Sequence, residues 1–526
     1  MKRRDKFITA DEAVGLIADG DTVGLMGGGG GLMEATHLFE AVQARFLASG
    51  QPHGLTLVHA LGIGDKQTRG MNCFAHQGLA RRVIGGHWVW SPAMQRLASN
   101  NQIEAYILPG GVSSQLMREI GAGRPGLITH VGLGTVCDPR HGGGRMNEAA
   151  REDLAELITI DGREYLRYKP FPIHVALIRA SASDDEGNIS FEHEAANLDA
   201  QALALAARNS GGKVIVQVRE RVRRGALKAR EVRIPSAWVD AVVIDPQQRT
   251  SYDIPFDPAF SGELVGSVRA TAEADDHARE LAAAREHFSE RQAVARRAIV
   301  ELYNTDKARP VVNYGVGIPD AVAKLIAARN EHQRIYQTIE HGTYGGTLMD
   351  GVLFGYARNA TAMLDSPTQF DFYGGGGLDI AFLGFGEFDR SGCVNVSKLG
   401  GVTVGPGGFI DIAQNARKVV FCGTLAARGV RLETGNGSLR VLEQGSIRKA
   451  VERVDQITFS GPQALARGQT VLYLTERASF RLTAGGVELF ELAPGVDLQR
   501  DVLDQMDFAP KLASKVSLMD AAHFSA

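Results

Sequence analysis

Three short segments of this chain recur once each, in order and at one spacing. Ala176-Leu177-Ile178 returns as Ala381-Phe382-Leu383. Asp184-Asp185-Glu186-Gly187-Asn188-Ile189 returns as Asp389-Arg390-Ser391-Gly392-Cys393-Val394. Gly212-Lys213-Val214-Ile215-Val216 returns as Arg417-Lys418-Val419-Val420-Phe421. The offsets 381 − 176, 392 − 187 and 418 − 213 are all 205. Generic apolar segments can match by chance, but a constant offset points to two copies of one domain. Thr22–Gly31 also parallels Arg309–Pro319, so the first copy carries an insertion of roughly 80 residues before the shared part.

Within each copy the pattern is strand, glycine turn, helix. Strands are expected at 21–26, 104–108 and 173–179, and helices at 8–19, 33–47, 146–157, 196–207 and 320–328. Alternating strands and helices with β-branched strand cores imply an α/β fold with a mainly parallel sheet. At 526 residues the chain is too long for one core. Residues 268–302 are rich in Ala, Glu and Arg and read as a helical linker. The expected division is 1–267, the linker 268–302, and 303–526. A duplicated domain places its site in the cleft between copies.

Several function classes are excluded. The net charge is −3, with no basic run interleaved with aromatics, so no nucleic-acid partner is expected. The basic start lacks an apolar h-region and no 18-residue apolar run exists, so neither secretion nor a membrane span is expected. Cys73, Cys137, Cys393 and Cys422 are scattered, as in a reduced cytoplasmic protein. No HExxH or Cys/His spacing suggests a metal, and no GxSxG elbow a serine hydrolase. Gly27–Gly31 follows a strand and precedes a helix, the generic anion-cradling arrangement. The acid a dinucleotide site needs roughly 20 residues on is missing from Leu55–Gly62, which argues against a dehydrogenase.

The remaining chemistry gathers late in the chain. In Arg334–Gly346 an alternating strand ends in Glu340, next to Gly342 and Gly345-Gly346, so a carboxylate sits where backbone can approach a ligand. Gly407-Gly408 precedes an apolar segment and could offer two backbone N–H groups to an oxyanion. Asn395, Ser397 and Lys398 could bind a polar ligand. Taken alone, the first two suit a turn and the third the surface.

Further runs carry a resemblance. They are Gln369–Tyr373, Gly376–Gly384, Val394-Asn395-Val396-Ser397-Lys398, Gly407-Gly408-Phe409-Ile410 with Gln414-Asn415-Ala416, and in the first copy Tyr165–Lys169, Val175–Arg179 and Gly187–Ser190. With these the chain resembles the family I CoA-transferases nearly end to end, closest to propionate and short-chain acyl-CoA:acetate or acetoacetate enzymes. The resemblance implies two tandem, related three-layer α/β/α domains. It implies transfer of CoA from an acyl-CoA to a small carboxylic acid through a glutamyl-CoA thioester on Glu340. Gly407 and Gly408 are then the oxyanion donors, and Asn395, Lys398, Gly405 and Phe409 contact CoA. CoA is a substrate, no cofactor is bound permanently, and the enzyme is a homo-oligomer, dimer or tetramer. An acyl-CoA hydrolase of the same fold is the alternative, and a non-catalytic paralogue would lack the acid. Two departures bear on acyl specificity more than on the reaction. Family members often read Glu-Ser-Gly-Pro where this chain has Glu340-His341-Gly342-Thr343, followed by Tyr344. They often read Leu-Pro-Gln-Gly where it has Leu108-Pro109-Gly110-Gly111.

Overall fold

The computed structural model describes residues 5–29, 31–264 and 289–525. It divides into two compact units. One is Met1–Gly266 with Ile339–Asp371 and Gly400–Asp411; the other is Ser267–Thr338 with Phe372–Leu399 and Ile412–Ala526. The stretch bearing Glu340 therefore packs with the first unit. Of the expected linker, 268–288 lies outside the described residues, and the remainder belongs to a helix, Glu290–Tyr303.

The first unit is built on strands β1 (Thr22–Leu25), β2 (Leu55–His59), β3 (Ala80–Gly85), β4 (Glu104–Tyr106), β5 (Leu127–Thr129), β6 (Ala155–Ile160), β7 (Arg163–Tyr168), β8 (Val175–Asp184), β9 (Ile189–Ser190), β10 (Lys213–Val222), β11 (Val232–Ile234) and β12 (Ala241–Ile244). Seven of them form a parallel sheet in the order β12-β10-β8-β1-β2-β3-β4. All ten residues of β8 are buried: Val175–Ile178 is an apolar run flanked by parallel neighbours, and the polar Arg179, Ser181, Ser183 and Asp184 are buried with it. Its helices are α1 (Ala10–Val14), α2 (Thr36–Ser49), α3 (Pro92–Ser99), α4 (Gly110–Gly121) and α5 (Ala200–Asn209).

Two expected helices differ. The one at 8–19 shrinks to α1. Thr9 and Glu12 form a capping box, but Gly15 is unfavourable in a helix interior, and the Ile17 carbonyl accepts from Arg45 at 2.9 Å instead. The helix expected at 146–157 is absent. Residues 155–160 form β6, paired antiparallel to β7 with Ala155 opposite Tyr168 and Leu157 opposite Leu166. The two are joined by Asp161-Gly162, both at positive φ, a two-residue hairpin turn. That dipeptide between apolar runs was the available signal.

The second unit carries β13 (Val311–Tyr314), β14 (Tyr336–Thr338), β15 (Ile380–Gly384), β16 (Lys418–Cys422), β17 (Thr470–Leu474), β18 (Ala478–Thr483), β19 (Gly486–Leu492) and β20 (Lys511–Leu518), with helices α6 (Glu290–Tyr303), α7 (Ile318–Ala328) and α8 (Phe409–Asn415), the last beginning in the first unit. Strands β14-β13-β15-β16-β17 run parallel.

The repeat survives at the level of register. Ala176 faces Val214 across β8 and β10, and Ala381 faces Val419 across β15 and β16, so both members of the pair are offset by 205. The turns repeat too. Asp184 Oδ1 accepts from the amides of Glu186 and Asn188, both at 2.9 Å. Asp389 Oδ1 accepts from those of Ser391 and Cys393, both at 3.0 Å. Gly24 pairs with Ala176 and Asn313 with Ala381, an offset of 313 − 24 = 289; the insertion is thus 289 − 205 = 84 residues. Val58 lies opposite Gly24 and Thr338 opposite Asn313, which makes Ala60 the counterpart of Glu340. The fold is α/β with mainly parallel sheets in two related domains.

Candidate active site

Glu340 lies two residues beyond β14, in a turn closed by Ile339 N–H to Thr343 O (2.8 Å) and Gly342 N–H to Ile339 O (3.0 Å). Gly342 has φ 108°, and a Cβ there would fall 2.2 Å from the Leu364 carbonyl oxygen, so only glycine fits. Among the described residues no donor hydrogen-bonds the Glu340 carboxylate. Burial pushes its carboxyl up to about 7.

Gly408 lies directly against that carboxylate. A Cβ on Gly408 would come 1.9 Å from Glu340 Oε2 and 3.2 Å from the Phe370 ring. A ladder of backbone hydrogen bonds fixes the loop before it: Gly86 N–H to His59 O (3.0 Å), Gly407 N–H to Gly86 O (2.7 Å), and Gly110 N–H to Gly407 O (2.7 Å). Trp88 N–H adds a bond to Val404 O (2.8 Å). The expected pair of donors is therefore not two free amides. The Gly407 N–H is taken by Gly86, whereas the Gly408 N–H has no partner among the described residues. Gly405, at φ 78°, packs on the Gly86 carbonyl, and half-buried Phe409 donates its N–H to Pro406 O (2.9 Å).

Asn395 and Lys398 belong to the second unit. Asn395 is fully buried and spends its side chain on its own turn. Its Oδ1 accepts from the amides of Ser397 (3.1 Å) and Lys398 (3.2 Å), and its Nδ2 donates to Lys398 O (2.7 Å) and Glu387 (3.0 Å). Lys398 is half-buried. The glycine loop after β1 holds no open cradle at Gly29, where a Cβ would meet the Phe354 carbonyl oxygen at 2.3 Å.

Two residues not singled out from sequence, Asp411 and His87, stand here with His341, noted from sequence only as a departure. Buried Asp411 accepts from the amides of Gly111 (3.0 Å) and Val112 (3.2 Å), the first turn of α4. Burial, and then the charge of Glu340, push its carboxyl up to about 8. An acid between Ile410 and Ile412 in an apolar helix was its only signal. The His87 ring packs beside Gly407, and burial lowers it to about 4, so it is neutral. His341 is likewise held neutral by burial, and its Nε2–H donates to Gly355 O at 2.7 Å.

The second unit holds a separate cavity of about 460 Å³ at the carboxyl ends of β15 and β16, lined by Val316, Phe385 and Gly423 with Arg291, Arg428 and Lys449. It lies where the strand order reverses on either side of β13, the usual ligand crevice of such sheets. Neither Arg291 nor Arg428 is in an ion pair among the described residues. The first copy fills the equivalent place. Arg179 and Gln217, offset by 205 from Gly384 and Cys422, are buried there. Arg179 bonds Glu194 at 3.1 Å, and Gln217 bonds Gln248 at 3.0 Å.

The coenzyme A transferase family model matches residues 7–245. Acetate CoA-transferase YdiF of Escherichia coli K12 is 40% identical over 522 residues, spanning 99% of this chain and 95% of that protein. Caffeate CoA-transferase of Acetobacterium woodii is 41% identical over 529 residues, spanning 99% and 97%. Among solved structures, the acyl-CoA transferase YdiF of Escherichia coli O157:H7, a thioester complex with CoA, superposes with a TM-score of 0.91. It is 39% identical and covers 99% of this chain and 96% of its own. These relatives are transferases, and nothing in them favours the hydrolase alternative. Full-length identity at this level, on a shared fold, shows that the chain belongs to the coenzyme A transferase family and is an enzyme moving CoA from an acyl-CoA to a carboxylate.

Proposed function

We propose that the chain is a cytoplasmic, homo-oligomeric short-chain acyl-CoA:carboxylate CoA-transferase that works through a glutamyl-CoA thioester on Glu340. The observation that carries this is a half-buried carboxylate that no donor among the described residues hydrogen-bonds, set against Gly408, whose N–H has no partner among those residues. A desolvated carboxylate is a better nucleophile than a hydrated one. Glu340 attacks the thioester carbonyl, and the Gly408 N–H receives the developing oxyanion. CoA thiolate leaves, giving a mixed anhydride. The thiolate attacks the Glu340 carbonyl of that anhydride, releasing the first carboxylate and leaving the glutamyl-CoA thioester. A second carboxylate reverses the steps. The cycle balances on carboxylates and one thiol, so no resident cofactor is assigned.

The cavity of the second unit suits an anionic group, since it presents Arg291, Arg428 and Lys449 and neither arginine is in an ion pair among the described residues. Asn395 shapes its turn, and Lys398 and Phe409 remain the side chains offered to CoA. Short-chain acids are the expected acceptors by kinship with the acetate enzyme. The four cysteines are free and buried, in keeping with a reducing compartment. Among the described residues no helix is long and apolar enough to cross a membrane.

A covalent intermediate predicts ping-pong kinetics: double-reciprocal plots at several acceptor concentrations should be parallel, and intersecting lines would contradict the mechanism. The pH dependence has a fixed sign. Attack needs ionised Glu340, so kcat/KM should fall as pH drops through about 7. Stability runs the other way. The folded-state carboxyl binds its proton more tightly than the unfolded one, with its ordinary value of 4.5, so ionisation costs stability as pH rises from 4.5 to about 7. Glu340→Gln should then be more stable than wild type at pH 8, on the order of 1–3 kcal/mol after allowing for partial exposure. It should show no gain below pH 4. Thermal melts at the two pH values check this.

A further inference from the structure

We propose that Asp411 is a positioning residue for CoA transfer: from the first turn of α8 it caps the first turn of α4 and so holds Gly408 against Glu340. This rests on the assignment of Glu340 and Gly408 above. The geometry is a closed clamp with two attachments. The Asp411 carboxylate takes the Gly111 and Val112 amides, at 3.0 and 3.2 Å. The Gly110 amide takes the Gly407 carbonyl at 2.7 Å. Gly408 lies between those attachments, with Gly407 on one side and the helix bearing Asp411 on the other. Cutting the Asp411 arm leaves the loop pinned from one side only.

The neighbouring residues are shaped to this contact. A Cβ on Gly111 would lie 2.5 Å from Asp411 Oδ1 and 2.4 Å from the Phe370 ring. The same ring lies 3.2 Å from a Cβ on Gly408. Phe370 thus packs against both ends of the clamp and fills the space beside the nucleophile. A carboxylate is suited to the role, because two amides at a helix N-terminus favour an anionic acceptor. The titratable groups coupled to Asp411 are Glu340, Cys137 and Tyr168. Of these, Glu340 alone takes part in the proposed chemistry, and its charge raises the proton affinity of Asp411.

Asp411→Asn tests this, with Asp411→Ser beside it in case the first folds poorly. Rates are referred to the fraction of protein that takes up a CoA-sized adduct from acyl-CoA, so unfolded material does not enter. The expected result is a kcat lower by roughly tenfold or more, with KM for acyl-CoA little changed, since small misplacements of reacting groups act on turnover. The acidic limb of kcat/KM should stay in place, because Asp411 is still protonated where Glu340 titrates and only the position of the loop changes. A wild-type kcat, in either variant, overturns the proposal and leaves Asp411 a purely structural cap. Should no adduct form on Glu340 even in wild type, the underlying assignment fails instead, and the two failures are told apart.

Discussion

Gly408→Ala should fold and yet lose turnover by roughly 100-fold or more, the scale of removing one oxyanion donor. The added methyl group would stand 1.9 Å from Glu340 Oε2. What must give way is the far end of a flexible side chain rather than backbone, so the fold survives and the nucleophile moves. Gly408→Val should be worse, as its extra methyls also press on the Phe370 ring. The glycine is required here for space, since its φ is not positive, in contrast to Gly405 and Gly407. Initial rates on folded variants, with circular dichroism as the control, check this. Near-normal turnover in folded Gly408→Val would remove Gly408 from the mechanism.

Glu340→Gln should lose CoA transfer altogether. The swap is nearly isosteric and removes only the anionic nucleophile, so the turn held by Gly342 and Leu364 remains. Glu340→Asp should lose roughly 100-fold, because withdrawing the carboxylate by one methylene displaces it by about 1 Å. It would also draw away from the Gly408 amide. Asp411 is not placed to substitute, being bound to the Gly111 and Val112 amides, and the counterpart in the first copy is Ala60.

Much of this was legible in the chain. The offset of 205 is a property of the sequence, and it reappears as the register of Ala176 with Val214 and of Ala381 with Val419. An acid closing an alternating strand beside glycines marks Glu340 as a candidate, but the pattern is common, and the role proposed for it comes from the family resemblance. What escaped depends on partners distant in sequence. Strand β6 looks helical until β7 pairs with it. Gly407 and Gly408 are indistinguishable as letters; only the Gly86 carbonyl, some 320 residues earlier, consumes one amide and leaves the other. Asp411 is set apart by amides 300 and 299 residues away. The Gly27–Gly31 run satisfies a phosphate-loop pattern, yet Gly29 receives the Phe354 carbonyl. Glycine runs report that something approaches closely, without saying whether it is ligand or chain.

The central claim is the covalent bond between Glu340 and CoA, and intact-protein mass spectrometry tests it most directly. Wild-type enzyme incubated with acyl-CoA and no acceptor should gain the mass of CoA less one water, mapping to the peptide containing Glu340. Adding a carboxylate acceptor should remove the adduct, and Glu340→Gln should gain nothing. An adduct on another peptide, or a folded Glu340→Gln enzyme that still exchanges CoA with deamidation to Glu excluded, would contradict the account.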